Sequence, residues 1–562
     1  MPSVSNPILP GFNPDPSIVR VGEDYFIATS TFEWFPGVQI HHSRDLANWT
    51  LISRPLRRKT QLDMRGAPDS CGVWAPCLTF DGGKFWLVYT DVKRKDGSFK
   101  DTPNYIVCSE PPDTISSTDG KSAAVIAIER EWSDPIYVNS TGFDPSLFHD
   151  PDTGKKYFIT MLQDHRRRRR YFAGIIVQEY DAAAQKLVGP RRNVFRGTEL
   201  DYPEGPHMYK RNGWYYLLTA EGGTAYGHAV TLARSRDVWG PFDEDVHPAN
   251  PMLTTRDAPD SVLQRAGHGD LVDTPDGRTF MVFLAGRPVI TEDGKRRCVL
   301  GRETCLQEVE WRADGWPYLK KGGHNPIVDV DVFAPRDEAK YWTEVEYKFS
   351  KEDGLPIDFQ WLRTPEPGRI FSVEDGHLRL VGREAIGSWY EQALVARRQT
   401  HFSYDAETII DFFPVDDRQF AGLTAYYCRF NFFYLAVSGD MDTGNRELIV
   451  MQSEDSYPQG NLVAPMLDPV VIPKEGKVRL KLEVRSGKTL QFFYALERGR
   501  EWEDWKAIGP RYDASILSDE CGGHRISGSF TGAFVGMACS DLHGTAAEAK
   551  FEGFVYRPVK ES

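Results

Sequence analysis

A unit of roughly sixty residues occurs five times in the first part of the chain, and this repeat restricts the fold more than any other feature. Each copy has a small polar entry, a strand, a Gly- or Asp-bearing turn and an aromatic-rich strand. Such a pattern predicts a β-hairpin. A further alternating segment follows each hairpin, which indicates about four strands per copy. The copies read NPDPSIVRVGEDYFIATS, VWAPCLTFDGGKFWLVYT, GFDPSLFHDPDTGKKYFITM, PEGPHMYKRNGWYYLLTA and AGHGDLVDTPDGRTFMVFLA.

The copies are regularly spaced. Pro16, Pro76, Pro145, Pro206 and Gly269 occupy the equivalent place, at intervals of 60, 69, 61 and 63 residues. Five all-β units of four strands predict a five-bladed β-propeller. In a propeller the first strand of every blade lines the central channel. Residues at one phase of the repeat should therefore meet on the axis.

Several side chains suited to acid–base chemistry stand at that phase or one residue before it. A Pro-Asp-Pro such as the one around Asp15 is by itself more often a turn than a site. A turn does not explain why acids and an imidazole recur at the axial phase of distant units. We therefore predict a site on the axis, made by Asp15, Trp74, Asp144, Glu204 and His268.

Three acids at one axis favour glycoside hydrolysis. One carboxyl must donate a proton to the leaving oxygen, and another must be ionised to activate water or to attack. A third acid raises the pKa of a neighbour and keeps it protonated near neutral pH. Aromatic faces such as Trp74 and Phe32 suit the apolar face of a sugar ring.

Five motifs spread over the chain carry a specific resemblance: NPDPSI, GFDPSLF, TAEGG, LGRET and FTGAFVGM. Together they resemble a β-xylosidase of glycoside hydrolase family 43, and the likeness covers the whole chain. The resemblance implies that Asp15 is the general base, that Glu204 is the general acid, and that Asp144 raises the pKa of Glu204 and orients it. It also implies inversion in a single displacement, with acid and base about 6.5–9.5 Å apart.

The resemblance assigns substrate binding to Arg302 in LGRET and to His268 in AGHGD. Arg302 would bind sugar hydroxyls and help to keep Asp15 ionised. His268 would contact substrate or help to hold a hydrated calcium ion in the channel, although no cofactor is expected to be required. Structural alternatives remain open, because Asp144 could be a turn residue, His268 a core imidazole and Arg302 a partner of Glu303.

The blade pattern stops at about residue 329, and many alternating segments follow. We predict an all-β chain with a five-bladed propeller at residues 1–328 and an antiparallel β-sandwich at residues 329–562. The sandwich resembles the concanavalin-like domain of the same xylosidases, where a structural role and sugar binding both remain open. The resemblance also places a loop near Phe530 over the propeller, which would close the pocket and favour attack at chain ends.

One position departs from the family pattern. Such xylosidases can carry a tryptophan after the second strand of the third unit, and Gln163 stands in that place here. We expect the leaving-group side of the pocket to be less aromatic. A run of five arginines, residues 166–170, follows directly and is expected to be a solvated loop.

The predicted activity is release of xylose from the non-reducing ends of xylo-oligosaccharides, with α-L-arabinofuranosidase activity as a side reaction. An enzyme acting mainly on arabinofuranosides is the nearest alternative. A retaining enzyme of the invertase type is less favoured, because Ser17-Ile18 follows the proline where that type has Asn-Gly. A sugar-binding protein without turnover is the alternative from another class.

Charge and composition limit the other partners. The net charge of −13 argues against nucleic acid and anionic membranes. The eight cysteines form no C-x-x-C pair and are expected to be buried thiols. No signal peptide or membrane span is visible, so a cytoplasmic location is expected unless a leader was removed. A homodimer or homotetramer would be ordinary for such enzymes.

Overall fold

The computed structural model describes residues 2–95, 101–115, 120–166, 169–453, 462–463, 467–521 and 529–561. Residues 167 and 168 of the arginine run lie outside this set. Five four-stranded antiparallel sheets precede two larger sheets, which confirms the predicted all-β propeller and sandwich. Within the described ranges the α-helices are Ala123–Glu129 and Glu338–Tyr341, and the 3-10 turns are Pro112–Thr114, Pro367–Arg369 and Ala514–Ile516.

Each repeat forms one blade, and in each blade the strand that begins the repeat starts the sheet. In that order the strands are Ser17–Val21, Asp24–Thr29, Gln39–Ser43 and Thr50–Ser53 in blade 1; Gly72–Asp81, Lys84–Val92, Asn104–Cys108 and Ile136–Asn139 in blade 2; Ser146–His149, Lys156–Gln163, Phe172–Asp181 and Lys186–Phe195 in blade 3; Glu204–Arg211, Trp214–Glu221, Ala229–Ser235 and Leu253–Thr254 in blade 4; Gln264–Asp273, Thr279–Gly286, Glu303–Trp311 and Pro317–Leu319 in blade 5. A short hairpin of Val289–Ile290 and Arg296–Arg297 projects from blade 5.

The ring closes between blades 5 and 1. The buried Asp270 carboxylate of blade 5 accepts hydrogen bonds from the Ser17 hydroxyl (3.0 Å) and the Ile18 amide (2.8 Å) of blade 1. It also accepts one from the Tyr209 hydroxyl of blade 4 (2.6 Å). Near the chain start, strand Ser3–Ser5 pairs with Asp329–Asp331, beyond the last blade. The domain boundary after residue 328 stays a prediction.

The backbone repeats one unusual conformation at the start of every blade. The residue just before the repeated Pro or Gly has a positive φ, and in blades 2, 4 and 5 the strand register shifts there. The left-handed region is unfavourable for most L-residues, and Asp, Asn and His are enriched among those that adopt it. These residues are Asp15 (φ 54°), Ala75 (34°), Asp144 (54°), Gly205 (53°) and His268 (50°).

The sandwich consists of two sheets of nine strands each within the described residues. One contains Val345–Tyr347, Phe371–Glu374, His377–Val381, Tyr404–Asp411, Val478–Arg485, Thr489–Arg498, Glu501–Trp502, Lys506–Asp513 and Glu548–Pro558. The other contains Phe359–Leu362, Ala393–Arg398, Gln419–Cys428, Asn431–Asp440, Asn445–Ser453, Leu462–Val463, Val470–Ile472, Phe534–Asp541 and one strand from the propeller, Trp34–Phe35.

The strand Trp34–Phe35 joins the two parts of the chain. It leaves blade 1 and pairs antiparallel with Trp361 and Leu362 at the edge of the sandwich sheet. The Trp34 ring is fully buried and stacks on Phe534, with ring centroids 3.7 Å apart and planes 11° from parallel. The propeller and the sandwich therefore share one continuous sheet.

Removing the Trp34 ring tests how much this shared sheet contributes to stability. Trp34→Ala leaves a cavity at the junction, and large-to-small changes at buried aromatic positions cost about 3–5 kcal/mol. We expect the variant to unfold at a lower urea concentration than the wild type, as measured by circular dichroism. Tyr137→Ala, which truncates an aromatic ring with 56% exposure, is the control and should change the midpoint little. Equal midpoints for the two variants would contradict a stabilising role for Trp34.

Candidate active site

All eight side chains predicted for the site line one cavity of about 150 Å³ on the propeller axis. The predicted acids, the predicted Arg302 and His268, and the three predicted aromatic rings meet there from five blades and the sandwich. Their chemical roles stay predictions. Four residues that sequence reasoning did not include also line this cavity: Phe143, Phe172, Gly223 and Thr224.

The carboxylate of Asp15 is held in its ionised form. It is 5% exposed and receives hydrogen bonds from Arg302 Nη1 (2.9 Å) and the Ser30 hydroxyl (2.6 Å). Burial alone would raise the pKa of Asp15, but Arg302, His268 and the Ser30 hydrogen bond outweigh it and lower this pKa below its ordinary value. Asp15 is therefore suited to accept a proton.

Arg302 fixes the geometry on this side of the cavity. Besides Asp15 of blade 1, its Nη1 contacts the Thr224 hydroxyl that follows a strand of blade 4 (3.0 Å). Its Nη2 donates to the backbone carbonyl of Phe530 from the sandwich (3.0 Å). One buried guanidinium thus connects two blades and the second domain.

Asp144 and Glu204 form the opposite acidic pair. Asp144 is 7% exposed and accepts a hydrogen bond from the Gly205 amide (3.1 Å), so it is tied to the backbone beside Glu204. Burial, followed by the charges of Glu204 and Asp15, raises the pKa of Asp144 well above its ordinary value. Because the two acids are coupled, a proton taken up here belongs to the pair rather than to either residue alone.

His268 lies between the two acidic sides. Its Nδ1 is 3.8 Å from Asp15 Oδ1, and burial lowers the pKa of its imidazole to about 4, although Asp15 opposes this shift. The ring is therefore neutral at neutral pH. Gly205 packs against it so closely that an added Cβ would come within 2.9 Å of the ring. The blade 4 backbone therefore fixes the position of His268.

The two carboxylates whose charges act on His268 are already engaged in hydrogen bonds. Calcium prefers six to eight oxygen ligands. The Asp15 carboxylate is bound by Arg302 and Ser30, and the Asp270 carboxylate is used in closing the ring. In the part of the chain that the structure describes, no group of three or more His, Cys, Asp or Glu side chains could hold a metal ion. Calcium in the channel stays a prediction.

Aromatic rings enclose the cavity. Phe530 packs against Phe32 (6.3 Å between centroids) and Trp74 (5.9 Å), so the sandwich contributes to the same wall as the propeller. The wall continues through Phe143, which packs on Trp74 (5.3 Å) and on Phe172 (5.9 Å). These faces suit the apolar side of a sugar ring.

The side of the site next to Gln163 still contains aromatic groups. The Gln163 amide nitrogen contacts the Tyr171 hydroxyl (3.0 Å), and Phe172, on the next strand, faces the cavity. Phe172 also packs on Tyr202, with centroids 5.1 Å apart. The expected loss of aromatic character is therefore offset by a neighbouring strand. The sequence signal that was available is the Tyr-Phe pair after the arginine run.

Behind the aromatic wall lies a buried carboxyl that sequence reasoning also missed. Glu33 is fully buried and accepts a hydrogen bond from the Ser70 amide (3.1 Å). Ser70 in turn accepts one from the Phe530 amide through its hydroxyl (3.1 Å) and one from the Trp74 ring nitrogen through its carbonyl (3.0 Å). Glu33 therefore supports the turn that holds two rings of the wall.

This arrangement defines a class of protein. An aromatic-walled cavity holds one carboxyl whose pKa an arginine helps to lower and a second carboxyl whose pKa is raised by burial and by the charges of neighbouring acids. A proton acceptor and a proton donor around a space for a sugar are the requirements of a glycoside hydrolase.

The comparison with known proteins identifies the family. Residues 4–317 match the family described as "Glycosyl hydrolases family 43", and residues 346–557 match "Beta xylosidase C-terminal Concanavalin A-like domain". The chain belongs to glycoside hydrolase family 43, as its motifs suggested.

In the described residues no helix combines the length and the apolar composition needed to span a bilayer.

Relatives match over the full length. Xylosidase/arabinosidase 43B of Humicola insolens is 66% identical, covering 100% of this chain and 98% of the relative. A beta-xylosidase of Bacillus subtilis (strain 168) is 44% identical and covers 99% of both chains. The crystal structure of xylan beta-1,4-xylosidase from Bacillus Halodurans C-125 is 44% identical, with a TM-score of 0.88 over 99% of this chain and 100% of that one.

Replacing Glu33 by Gln tests the buried carboxyl through pH. Burial, with Asp69, raises the pKa of Glu33 to about 7, while Arg363 opposes the shift. The folded chain then keeps a proton that the unfolded chain releases above its ordinary pKa, so the free energy of unfolding falls as pH rises from about 4.5 to 7. Relative to Glu33→Gln, the wild type should lose about 3 kcal/mol over this range, at about 1.36 kcal/mol per pKa unit.

Urea unfolding at a series of pH values measures this difference. The exposed Glu346→Gln is the control and should follow the wild type at every pH. Parallel stability curves for the wild type and Glu33→Gln across this range would show that Glu33 is ionised in the folded chain throughout.

Proposed function

We propose that the protein is an exo-acting, inverting β-1,4-xylosidase that removes xylose from the non-reducing ends of xylo-oligosaccharides. The observation that carries the proposal is that the pKa values of two acids lining one cavity are shifted in opposite directions. Arg302 helps to lower the pKa of Asp15, while burial and the charge of Glu204 raise the pKa of Asp144. The full-length likeness to proteins named beta-xylosidase supports this substrate class.

Asp15 acts as the general base. Its ionised carboxylate takes a proton from a water molecule as that water attacks the anomeric carbon. Arg302 and the Ser30 hydroxyl bind the carboxylate and fix its orientation before the substrate arrives. His268, neutral and beside Asp15, can accept or donate a hydrogen bond to a sugar hydroxyl without competing for the proton.

Glu204 acts as the general acid. It is half-buried and lines the cavity, so a glycosidic oxygen can reach it more readily than it can reach the deeper Asp144. Repulsion between the two carboxyls is reciprocal, and Asp144 therefore helps to keep the proton on the pair. As the glycosidic bond breaks, Glu204 transfers its proton to the departing oxygen and becomes a carboxylate beside Asp144.

The form of the cavity supports attack at chain ends. Its volume of about 150 Å³ is below the roughly 300–1,000 Å³ of pockets for larger ligands, which suits a single sugar residue rather than a stretch of polymer. Phe530 contributes to the wall from the sandwich and helps to close this space on one side. The sandwich thus serves the active site directly, in addition to any sugar binding of its own.

The reaction products on xylobiose and xylotriose test the proposed activity. We expect xylose as the only new monosaccharide, released first as the α-anomer because a single displacement inverts the β-linkage. Proton NMR during the first minutes of reaction distinguishes the anomers. A β-anomer as the first product would exclude inversion, and internal cleavage of longer chains would exclude exo action.

Arabinofuranosidase activity is a second candidate, favoured by one comparison. The Humicola insolens relative, at 66% identity, is named for both activities. Both sugars can present similarly placed hydroxyls to Arg302 and His268 in one pocket. The ratio of kcat/KM on the nitrophenyl β-xyloside and the nitrophenyl α-L-arabinofuranoside measures the preference.

Glu204→Gln separates catalysis from binding alone. The amide keeps the shape of the acid but has no proton to give, so kcat on xylobiose should fall by about 10²–10⁴. Calorimetry should still detect xylobiose binding, because the aromatic wall and Arg302 are unchanged. Wild-type protein that binds xylobiose with no turnover would identify a sugar-binding protein instead.

Oligomeric state and a cytoplasmic location stay predictions.

A further inference from the structure

Arg265 is a buried arginine on the first strand of blade 5 that does not line the candidate active site. Its φ of 60° lies in the left-handed region, which few residues other than glycine adopt. Backbone strain of this kind persists only where the surrounding structure fixes the residue, and it is frequent near functional sites. The contacts around Arg265 must therefore offset this strain.

The Arg265 side chain binds the loop that carries Thr224. Its Nε and Nη2 both donate to the Thr224 carbonyl, at 3.2 and 3.0 Å. Thr224 follows Gly222 and Gly223, whose φ values of 77° and 72° are also left-handed. Glycine gives the backbone many accessible conformations. The two hydrogen bonds from Arg265 therefore restrict a part of the chain that its own sequence leaves permissive.

Thr224 in turn binds Arg302. The Thr224 hydroxyl accepts a hydrogen bond from Arg302 Nη1 (3.0 Å), and the same nitrogen donates to Asp15 (2.9 Å). Arg302 Nη2 donates to the Phe530 carbonyl of the sandwich, and among the described residues Nε has no hydrogen-bond partner. Within those residues, Thr224 is therefore the one acceptor besides Asp15 through which the propeller holds this guanidinium.

Asp519 of the sandwich binds the remaining nitrogen of the Arg265 guanidinium. Nη1 donates to Asp519 Oδ2 (2.8 Å), and the two side chains are only 5% and 3% exposed. The other oxygen of Asp519 accepts a hydrogen bond from the Tyr427 hydroxyl (2.8 Å), and this hydroxyl accepts one from the Thr531 amide (3.2 Å). Thr531 directly follows Phe530 of the pocket wall. Asp519 thus holds Arg265 and is linked to the wall.

The backbone of Arg265 is fixed from blade 4. Its carbonyl accepts a hydrogen bond from Nδ1 of the buried His228 (3.2 Å), whose pKa is lowered by burial to about 3. Gly267 packs against the same imidazole so closely that an added Cβ would come within 2.5 Å of the ring. Arg265 is therefore held by contacts from blade 4 and from the sandwich, and its side chain has one defined orientation.

We propose that Arg265 is a positioning residue for the reaction, one that holds Arg302 in place through Thr224. The inference rests on the proposed function, in which Arg302 binds the general base Asp15. Arg265 does not line the cavity and acts only through Thr224. Because Asp519 supplies the counter-charge of Arg265, the sandwich supports the base as well as the wall of the pocket.

Arg265→Lys tests this role through the pH dependence of kcat/KM on xylobiose. Lysine keeps a positive charge beside Asp519, but one ammonium group does not reproduce the planar arrangement of Nε, Nη1 and Nη2. We expect kcat/KM to fall about 10–100-fold, since small displacements in an active site have effects of this size. The acidic limb of the profile should move to higher pH, because a displaced Arg302 lowers the pKa of Asp15 less.

Arg278→Lys is the matched control. Arg278 directly precedes the second strand of the same blade, and it also binds one carboxylate, that of Glu308 (2.8 Å), and one backbone carbonyl, that of Asp331 (2.7 Å). It does not line the cavity. Its kcat/KM and acidic limb should match those of the wild type. An equal loss in Arg265→Lys and Arg278→Lys would show a general effect of the exchange and would overturn the proposal.

Thr224→Val tests the route from Arg265 to Arg302. Valine keeps the branched shape of threonine and lacks the hydroxyl that binds Arg302, so the acidic limb should move in the same direction. Combined with Arg265→Lys, it should cause little further loss, because residues that act through one shared contact are not additive. Losses in kcat/KM that multiply in the combined variant would show that Arg265 acts by another route, which would overturn the proposal.

A variant without either charge covers the case in which Arg265→Lys does not fold. Changing one partner of a buried pair can leave a charge buried alone, whereas Arg265→Met together with Asp519→Asn removes both charges. This variant should show the same shift of the acidic limb to higher pH. With an active wild type, an unchanged acidic limb in this variant would overturn the inference alone. A wild type without turnover of xylobiose would contradict the proposed function and the inference with it.

Discussion

The guanidinium of Arg302 is bound by three parts of the chain that are far apart in sequence. It pairs with Asp15 from blade 1, contacts Thr224 from blade 4 and donates to the carbonyl of Phe530 from the sandwich. Because the group is buried, its charge acts on Asp15 with little screening by water. The same contacts that lower the pKa of the proposed base therefore also hold the wall of the pocket. Electrostatics and shape at this site cannot be changed independently.

The junction between the propeller and the sandwich also supports the wall of the pocket. Phe530 is fixed at its carbonyl by Arg302 and at its amide by Ser70, and Ser70 is held by the buried Glu33. The next residue, Trp34, enters the sandwich sheet and stacks on Phe534. Adjacent residues of blade 1 thus support the pocket and anchor the second domain. A sandwich displaced by a small distance would open the active site.

Much of this was accessible from the sequence, for identifiable reasons. The spacing of the repeats predicted the blades, and their common phase predicted that Asp15, Asp144 and Glu204 would meet. Contacts without a local signal were missed. Glu33 acquires its role from Ser70 and Arg363, and Arg363 lies over 300 residues away in the sandwich. Trp34 and Phe35 look like pocket aromatics beside Phe32, yet only Phe32 reaches the cavity, because the next two residues form a strand of another sheet.

The left-handed residue at the start of each blade limits which side chains a β-propeller can place on its axis. That backbone geometry tolerates few residue types, mainly glycine, asparagine, aspartate and histidine. Two of these, aspartate and histidine, are also side chains that exchange protons near physiological pH or can be tuned to do so. At the five positions stand Asp15, Ala75, Asp144, Gly205 and His268. The backbone conformation thus favours residue types that include two with titratable side chains. An exchange among aspartate, asparagine, histidine and glycine at one of these positions would add or remove a titratable group at the axis while the blade keeps its backbone conformation.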